Sequence, residues 1–226
     1  MKIGGLQKVT LIDYPGKVAC TVFLSGCNFR CPFCYSPELV LPEEIKKHPT
    51  ISEKDFFYFL SEKKGLLDAC VICGGEPTIH GKELVDFCKR IKEMGFLIKL
   101  DTNGSNPDIL KKVIPFIDYI AMDIKSPLDE RYKIFSSIDC LDKIKESIQI
   151  IKNSNLDYEF RTTITSHSID DILKIAEYIS PAKKYFLQRF VSEKENISGE
   201  SYFTKEEDLE IIRDRIKNLF EIFEIR

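Results

Sequence analysis

Gly26-Cys27-Asn28-Phe29-Arg30-Cys31-Pro32-Phe33-Cys34 is the stretch on which the reading of this chain turns. It sets three cysteines at Cys-x3-Cys-x2-Cys spacing directly after the apolar run Val18 to Leu24. A structural zinc site closes with four ligands, and a bacterial ferredoxin run carries four cysteines. Three thiolates within eight residues, with no fourth Cys or His close by, can instead hold three corners of a four-iron cluster and leave the fourth iron open. An open iron is a place for chemistry. The residue before the last cysteine is the aromatic Phe33.

Outward from this loop the pattern alternates strand and helix. Val18 to Leu24 reads as a buried strand, and Ser52-Glu53-Lys54-Asp55 caps a helix carrying Phe56, Phe57, Phe59 and Leu60. Further strands are expected at Ala69 to Cys73, Phe96 to Leu100, Asp118 to Met122, Tyr158 to Ile164 and Tyr185 to Phe190. Between them lie helices at Glu83 to Met94, ended by Gly95, and at Pro107 to Val113, Leu141 to Lys152 and Asp170 to Ile179. A last helix, about 204–222, is expected from the capping box Thr204-x-x-Glu207 ahead of Leu209, Ile212, Ile216 and Leu219. Residues 1–16 read as a turn segment, and no linker divides the chain, so a single domain with a core of about 17–190 is expected. Six strand–helix units imply a parallel sheet and are too few for an eight-stranded barrel. Periodicity leaves an open doubly wound sheet as compatible as a partial barrel.

The 226 residues suit one large domain. Hydrophobic content of 43% and charged content of 31% are ordinary for a globular protein, and a formal charge of −3 gives no footprint for nucleic acid or anionic membrane. No apolar stretch approaches the roughly 20 residues that span a bilayer, and the N-terminus lacks an apolar secretion-signal core, so a cytoplasmic protein is expected. In that reducing compartment eight cysteines point to metal binding or burial rather than disulfides.

Four polar or Gly-rich segments interrupt the apolar runs where strands would end. Gly74-Gly75-Glu76-Pro77 permits close backbone approach and brings a buried carboxylate, though as an isolated tetrapeptide it is also a turn. Asp101-Thr102-Asn103-Gly104 and Asp123-Ile124-Lys125 end the next two strands; each could be a binding element or a solvated strand end. Arg161 and Gln188-Arg189 break later strands. Cys70 and Cys73 are spaced like a redox pair, but side chains three apart on a strand point to opposite faces. Cys20 and Cys88 read as core residues, Cys140 has no partner in sequence, and His48, His80 and His167 read as loop or capping residues.

The triplet, Phe33 and Gly74-Gly75-Glu76-Pro77 about forty residues on together resemble the radical S-adenosylmethionine (SAM) enzymes. The resemblance implies an α/β fold, an open partial (β/α)6 barrel with its site at the C-terminal strand ends. It implies one [4Fe-4S] cluster on Cys27, Cys31 and Cys34, and reductive cleavage of SAM to a 5'-deoxyadenosyl radical. Cofactor contacts are implied at Phe33 and Tyr35, at Gly74, Gly75 and Glu76 toward the methionyl ammonium, at Asp101, Asn103, Asp123 and Lys125 toward ribose and carboxylate, and at Arg161 toward the carboxylate. Gln188 stands near where related enzymes carry a His at the sixth strand. In one branch of the family the corresponding aspartates and threonine hold a monovalent cation, which makes Asp101, Thr102 and Asp123 its expected ligands.

Leu11-Ile12-Asp13-Tyr14-Pro15-Gly16-Lys17 is a Pro-Gly turn that also resembles the opening of the anaerobic ribonucleoside-triphosphate reductase activating proteins. The pyruvate formate-lyase activating enzymes are the next resemblance. The implied function is removal of an α-hydrogen from a glycine of an anaerobic ribonucleotide reductase, with flavodoxin or ferredoxin as electron donor. An activase of a pyruvate formate-lyase type enzyme, a radical SAM enzyme on a small molecule or peptide, and a non-catalytic cysteine-rich metal module are the alternatives.

Overall fold

The computed structural model of the chain describes residues 1–193 and 195–226. One sheet of eight strands runs in sequence order: β1 Ile3–Thr10, β2 Ala19–Leu24, β3 Ala69–Gly74, β4 Leu97–Thr102, β5 Tyr119–Asp123, β6 Asp157–Ile164, β7 Ala182–Arg189 and β8 Phe220–Ile225. β1 is antiparallel to β2, and every later pairing is parallel. The helices are α1 Pro37–Val40, α2 Pro42–Lys47, α3 Glu53–Glu62, α4 Lys82–Glu93, α5 Pro107–Val113, α6 Tyr132–Ser136, α7 Leu141–Lys152, α8 Ile169–Ile179 and α9 Glu206–Ile216. Strands β2 to β7 are the six parallel strands expected from the sequence. Among the described residues β1 and β8 do not pair, so the barrel stays open on one side.

The period of two along each strand divides the core. Outward residues such as Cys20, Val22, Cys70, Ile72, Ile98, Leu100, Ile120 and Phe160 join the main core with Leu84, Phe87, Cys88 and Ile91 of α4 and Ile144 and Ile148 of α7. Inward residues Ala19, Ala69, Val71 and Tyr119 close the barrel floor, with Tyr14 plugging it from below. The Tyr14 and Tyr119 ring centroids are 5.6 Å apart. The Pro-Gly segment before β2 therefore delivers a floor residue. The cysteine pair obeys the same parity, with Cys70 outward in the main core and Cys73 against the inner cluster.

Two edge strands depart from the sequence reading. Residues 1–16 are a strand and a loop rather than a turn segment: β1 pairs β2 from Ile3 opposite Leu24 to Thr10 opposite Ala19, with shifted register on both sides of Gly5-Leu6-Gln7. Those irregularities, at Gly4 and near Lys8, hide the strand's alternation. The expected helix of about 204–222 is α9 over Glu206–Ile216, a 3-10 turn over Lys217–Leu219, and then β8 beside β7. Phe220 and Phe223 pack on the Tyr185 ring, with centroids 5.0 and 6.0 Å away, and this contact with a distant strand outweighs the helical spacing. The Thr204 capping box does not form. The N-cap is Lys205 and makes no side-chain cap bond, while Glu206, Glu207 and Asp208 fill the first turn, where carboxylates suit the helix dipole.

Among the described residues no helix is long and apolar enough to cross a membrane. α8 carries a full capping box: Ser168 Oγ accepts the Asp171 N–H at 3.2 Å, and the Asp171 carboxylate accepts the Ser168 N–H at 3.0 Å. Substituting Ser168→Ala is expected to cost about 1 kcal/mol and to lower Tm by about 2–4 °C for a chain of this size. A melting curve superimposable on the parent would show that the cap contributes nothing.

Candidate active site

A cavity of about 230 Å3 opens at the C-terminal ends of β3 to β6. Its wall includes Cys27, Cys31 and Cys34, Phe33 and Tyr35, Gly74, Gly75 and Glu76, Asp101, Thr102 and Asn103, and Asp123, Lys125 and Arg161. The structure thus gathers every site residue expected from the sequence except Gln188. Gln188 sits opposite Thr163 in the β6–β7 register, and Thr163 reaches the wall while Gln188 does not. Arg189 turns away to an ion pair with Glu206 of α9.

The cysteine loop has no helix or strand of its own and is fastened by neighbours. Gly75 N donates to Leu24 O at 2.9 Å and Glu76 N to Gly26 O at 2.8 Å. A Cβ at Gly75 would run into the Gly26 carbonyl, and one at Gly74, whose φ is +126°, into the Leu24 backbone. Both glycines are therefore fixed by close approach to the strand that launches the loop. Asn103 Nδ2 donates to Asn28 Oδ1 at 3.0 Å, and Asn28 Nδ2 to Ser105 Oγ at 2.8 Å. From the far end of the sheet, Ile197 N donates to Cys34 O at 3.1 Å and Ser198 N to Pro32 O at 2.9 Å. Tyr35 stacks on Phe190 and accepts the Val191 N–H at 2.6 Å. No sequence pattern marks this contact beyond the aromatic residues Phe190 and Tyr202, whose rings meet edge-on.

Glu76 is fully buried, and its carboxylate is spent on the protein. Oε1 accepts from Thr78 N at 3.0 Å, Thr78 Oγ1 at 2.5 Å and Thr102 Oγ1 at 2.7 Å, and Oε2 accepts from Asn103 N at 2.5 Å. Burial raises its pKa, and these donors oppose the rise. Glu76 is thus a hub joining the ends of β3 and β4 while it also lines the cavity wall.

Across the cavity lies a line of alternating charge. Lys99 Nζ reaches Asp101 Oδ1 at 2.5 Å, Arg161 Nη1 reaches Asp101 Oδ2 at 3.0 Å, Arg161 Nε reaches Asp123 Oδ1 at 2.8 Å, and Lys125 Nζ reaches Asp123 Oδ2 at 2.9 Å. Burial by itself would push the Asp123 carboxyl up, but Arg161 and Lys125 hold it well below the usual carboxylate range. Burial likewise disfavours charge on Lys125, and Asp123 more than reverses this and raises its pKa. His167 Nε2 lies 3.1 Å from Lys125 O and steadies the end of the line from behind. Sequence reading missed Lys99, inward on a strand taken as an apolar run, and placed Cys73 opposite Cys70 without assigning it to the cavity wall.

Burial pushes the Cys27 thiol up to about 12 and Cys31 up to about 11, and raises Cys34, so all three are protonated thiols before metal arrives. Iron would displace those protons. Among the described residues no three Cys, His, Asp or Glu converge as ligands of a single ion. Cys27, Cys31 and Cys34 nevertheless line one cavity wall, and in a cluster each thiolate would bind a different iron. Phe29 N donates to Cys27 Sγ at 3.3 Å, a contact of the kind that tunes cluster sulfur. The donor set therefore fits a cluster held at three corners. A monovalent cation fits less well, since all four carboxylate oxygens of Asp101 and Asp123 already hold an ammonium or guanidinium and Thr102 Oγ1 is committed to Glu76.

Residues 21–180 match the Radical SAM superfamily. Over 199 residues the chain is 34% identical to MJ1227 of Methanocaldococcus jannaschii, a protein named for glycyl-radical enzyme activation, covering 83% of this chain and 79% of that one. It is 28% identical over 141 residues to the pyruvate formate-lyase-activating enzyme of Clostridium pasteurianum, covering 58% of this chain and 56% of that enzyme. SuiB of Streptococcus suis, solved with the precursor peptide SuiA, shares the fold at a TM-score of 0.65 and 14% identity over 90% of this chain. The chain spans about half of SuiB, 48% of its length.

Replacing any one of Cys27, Cys31 or Cys34 by Ala is expected to abolish iron binding and visible absorbance after anaerobic reconstitution. The same change at Cys20, Cys70, Cys73, Cys88 or Cys140 should leave iron content unchanged. Equal iron loss on replacing Cys70 or Cys73 would refute the parity argument.

Proposed function

The chain belongs to the radical SAM superfamily, among the enzymes that activate glycyl-radical enzymes, and we propose that its target is an anaerobic ribonucleoside-triphosphate reductase in the cytosol. The observation that carries the reading is the cavity that joins the cysteine triplet to the polar strand ends on an open barrel. The Leu11 to Lys17 opening directs the choice of target.

Cys27, Cys31 and Cys34 would hold the four-iron cluster, which with bound SAM would supply a 5'-deoxyadenosyl radical. The protein binds, orients and excludes water. Gly74 and Gly75 present bare backbone to the methionyl ammonium, and Lys125 and Arg161 meet the carboxylate. Asp101, Asp123 and Asn103 fix the groups around them, and Phe33 and Tyr35 wall the cluster side. No side chain is needed as a general base. A flavodoxin or ferredoxin would deliver the electron at the loop of the partly buried Cys27 and Cys34. The gap between β1 and β8 admits a flexible glycine-bearing loop of the partner, whose bare Cα can approach closely and stabilise a backbone-delocalised radical.

Anaerobic incubation with reductant, SAM and an anaerobic ribonucleotide reductase is expected to give a stable glycyl doublet in electron paramagnetic resonance. A doublet only with a pyruvate formate-lyase type partner would overturn the target, and none with any glycyl-radical partner would favour a small-molecule or peptide substrate. At the site itself, Asp123→Ala leaves Lys125 without its carboxylate and Arg161 with Asp101 as its near partner. It should weaken SAM binding by roughly ten- to hundredfold with iron content intact, as lost charged hydrogen bonds do. Calorimetry showing unchanged affinity would place the cofactor elsewhere.

A further inference from the structure

Lys99 is a buried ammonium with a defined job. It lies on β4 two residues before Asp101, so both side chains face the barrel interior. Only 2% of it is exposed, its Nζ is 2.5 Å from Asp101 Oδ1, and Nζ stands 5.9 Å from the Tyr119 ring centroid. An ammonium placed this deep depends on its carboxylate partner, since removing one member of a buried pair leaves the other uncompensated. The other cations differ in position. Lys125 is at the mouth, 5.7 Å above the Phe33 ring, and Arg161 spans both aspartates, so each faces the cavity where a ligand carboxylate arrives.

The line Lys99, Asp101, Arg161, Asp123, Lys125 holds three positive and two negative charges, a net of +1. Below it, Glu159 lies 3.8 Å from Arg161 and accepts the Tyr119 hydroxyl at 2.7 Å. Seating a metal ion on Asp101 and Asp123 would mean evicting one of these cations, and Lys99 has no other carboxylate within reach among the described residues.

We propose that Lys99 is a built-in cation: its ammonium supplies at Asp101 the positive charge that a dissociable sodium or potassium ion would otherwise bring, so this chain binds SAM without a monovalent metal. Lys99 is thus a positioning residue, holding Asp101 so that Arg161 keeps its orientation toward the cofactor carboxylate. The proposal rests on the reading of this cavity as the SAM site.

The test is calorimetric titration of SAM into the anaerobically reconstituted protein at constant ionic strength, with choline, sodium or potassium as the sole added cation. The parent's dissociation constant is expected to change less than about twofold among the three salts. Lys99→Met should bind roughly tenfold or more weakly in choline, as loss of a charged hydrogen bond would give, and should recover most of that in potassium or sodium. Lys99→Arg should behave as the parent. An affinity of the parent that rises tenfold with sodium or potassium would overturn the proposal and leave the SAM site standing. So would a Lys99→Met protein that matches the parent in choline, or one weakened equally in all three salts, which is what a merely structural lysine would show. No binding by the parent in any salt would instead remove the SAM site itself, and the proposal with it. The parent's salt series decides even if Lys99→Met does not fold.

Discussion

A buried carboxylate must be satisfied or neutralised, and the site is arranged around one that is satisfied. Glu76 draws in two donors from Thr78, the hydroxyl of Thr102 and the backbone of Asn103. It thereby sets the separation of the β3 and β4 ends. Because Asn103 in turn holds Asn28, the same carboxylate fixes where the cysteine loop lies over the sheet. The glycines beside it have the complementary role of letting two backbones touch where a side chain would force them apart.

Above an apolar floor, the barrel interior grows steadily more charged toward its mouth. Tyr14, Ala19, Ala69 and Val71 exclude water at the bottom. The ion pairs above them act in a low local dielectric, where attraction is stronger and reorientation is costly. Arg161 and Lys125 are therefore aligned before any ligand arrives. Such preorganisation suits a reaction in which the protein contributes position and the bound groups contribute reactivity.

Parity along strands made much of this legible in the sequence. The inward Asp101, Asp123 and Arg161 and the opposed Cys70 and Cys73 follow from a period of two once the strands are placed. Lys99 shares that parity with Asp101, yet it sits inside a run whose neighbours are apolar, and only the ion pair reveals why a charge is tolerated there. The edge strands were hidden for another reason. In β8 the spacing of Ile216, Leu219, Phe220 and Phe223 continues a helical stripe, and what selects the strand is packing on Tyr185, more than thirty residues away in sequence. Glu76 was legible as a buried carboxylate, but its donors are backbone and hydroxyl groups, which carry no sequence pattern.

The cysteine loop poses the harder physical problem, since three thiols must surround a space without a helix or strand to hold them. Bonds from three parts of the chain solve it: backbone from the β3 end to Leu24 and Gly26, the Asn103 side chain at the β4 end to that of Asn28, and backbone after β7 to Pro32 and Cys34. Arg30 adds a local clamp, donating from Nη1 to Cys27 O and Phe29 O at 2.7 Å each. None of these bonds uses a thiol as its anchor, so they leave all three thiols available as ligands. Burial raises the pKa of all three thiols, so iron binding there would release their protons.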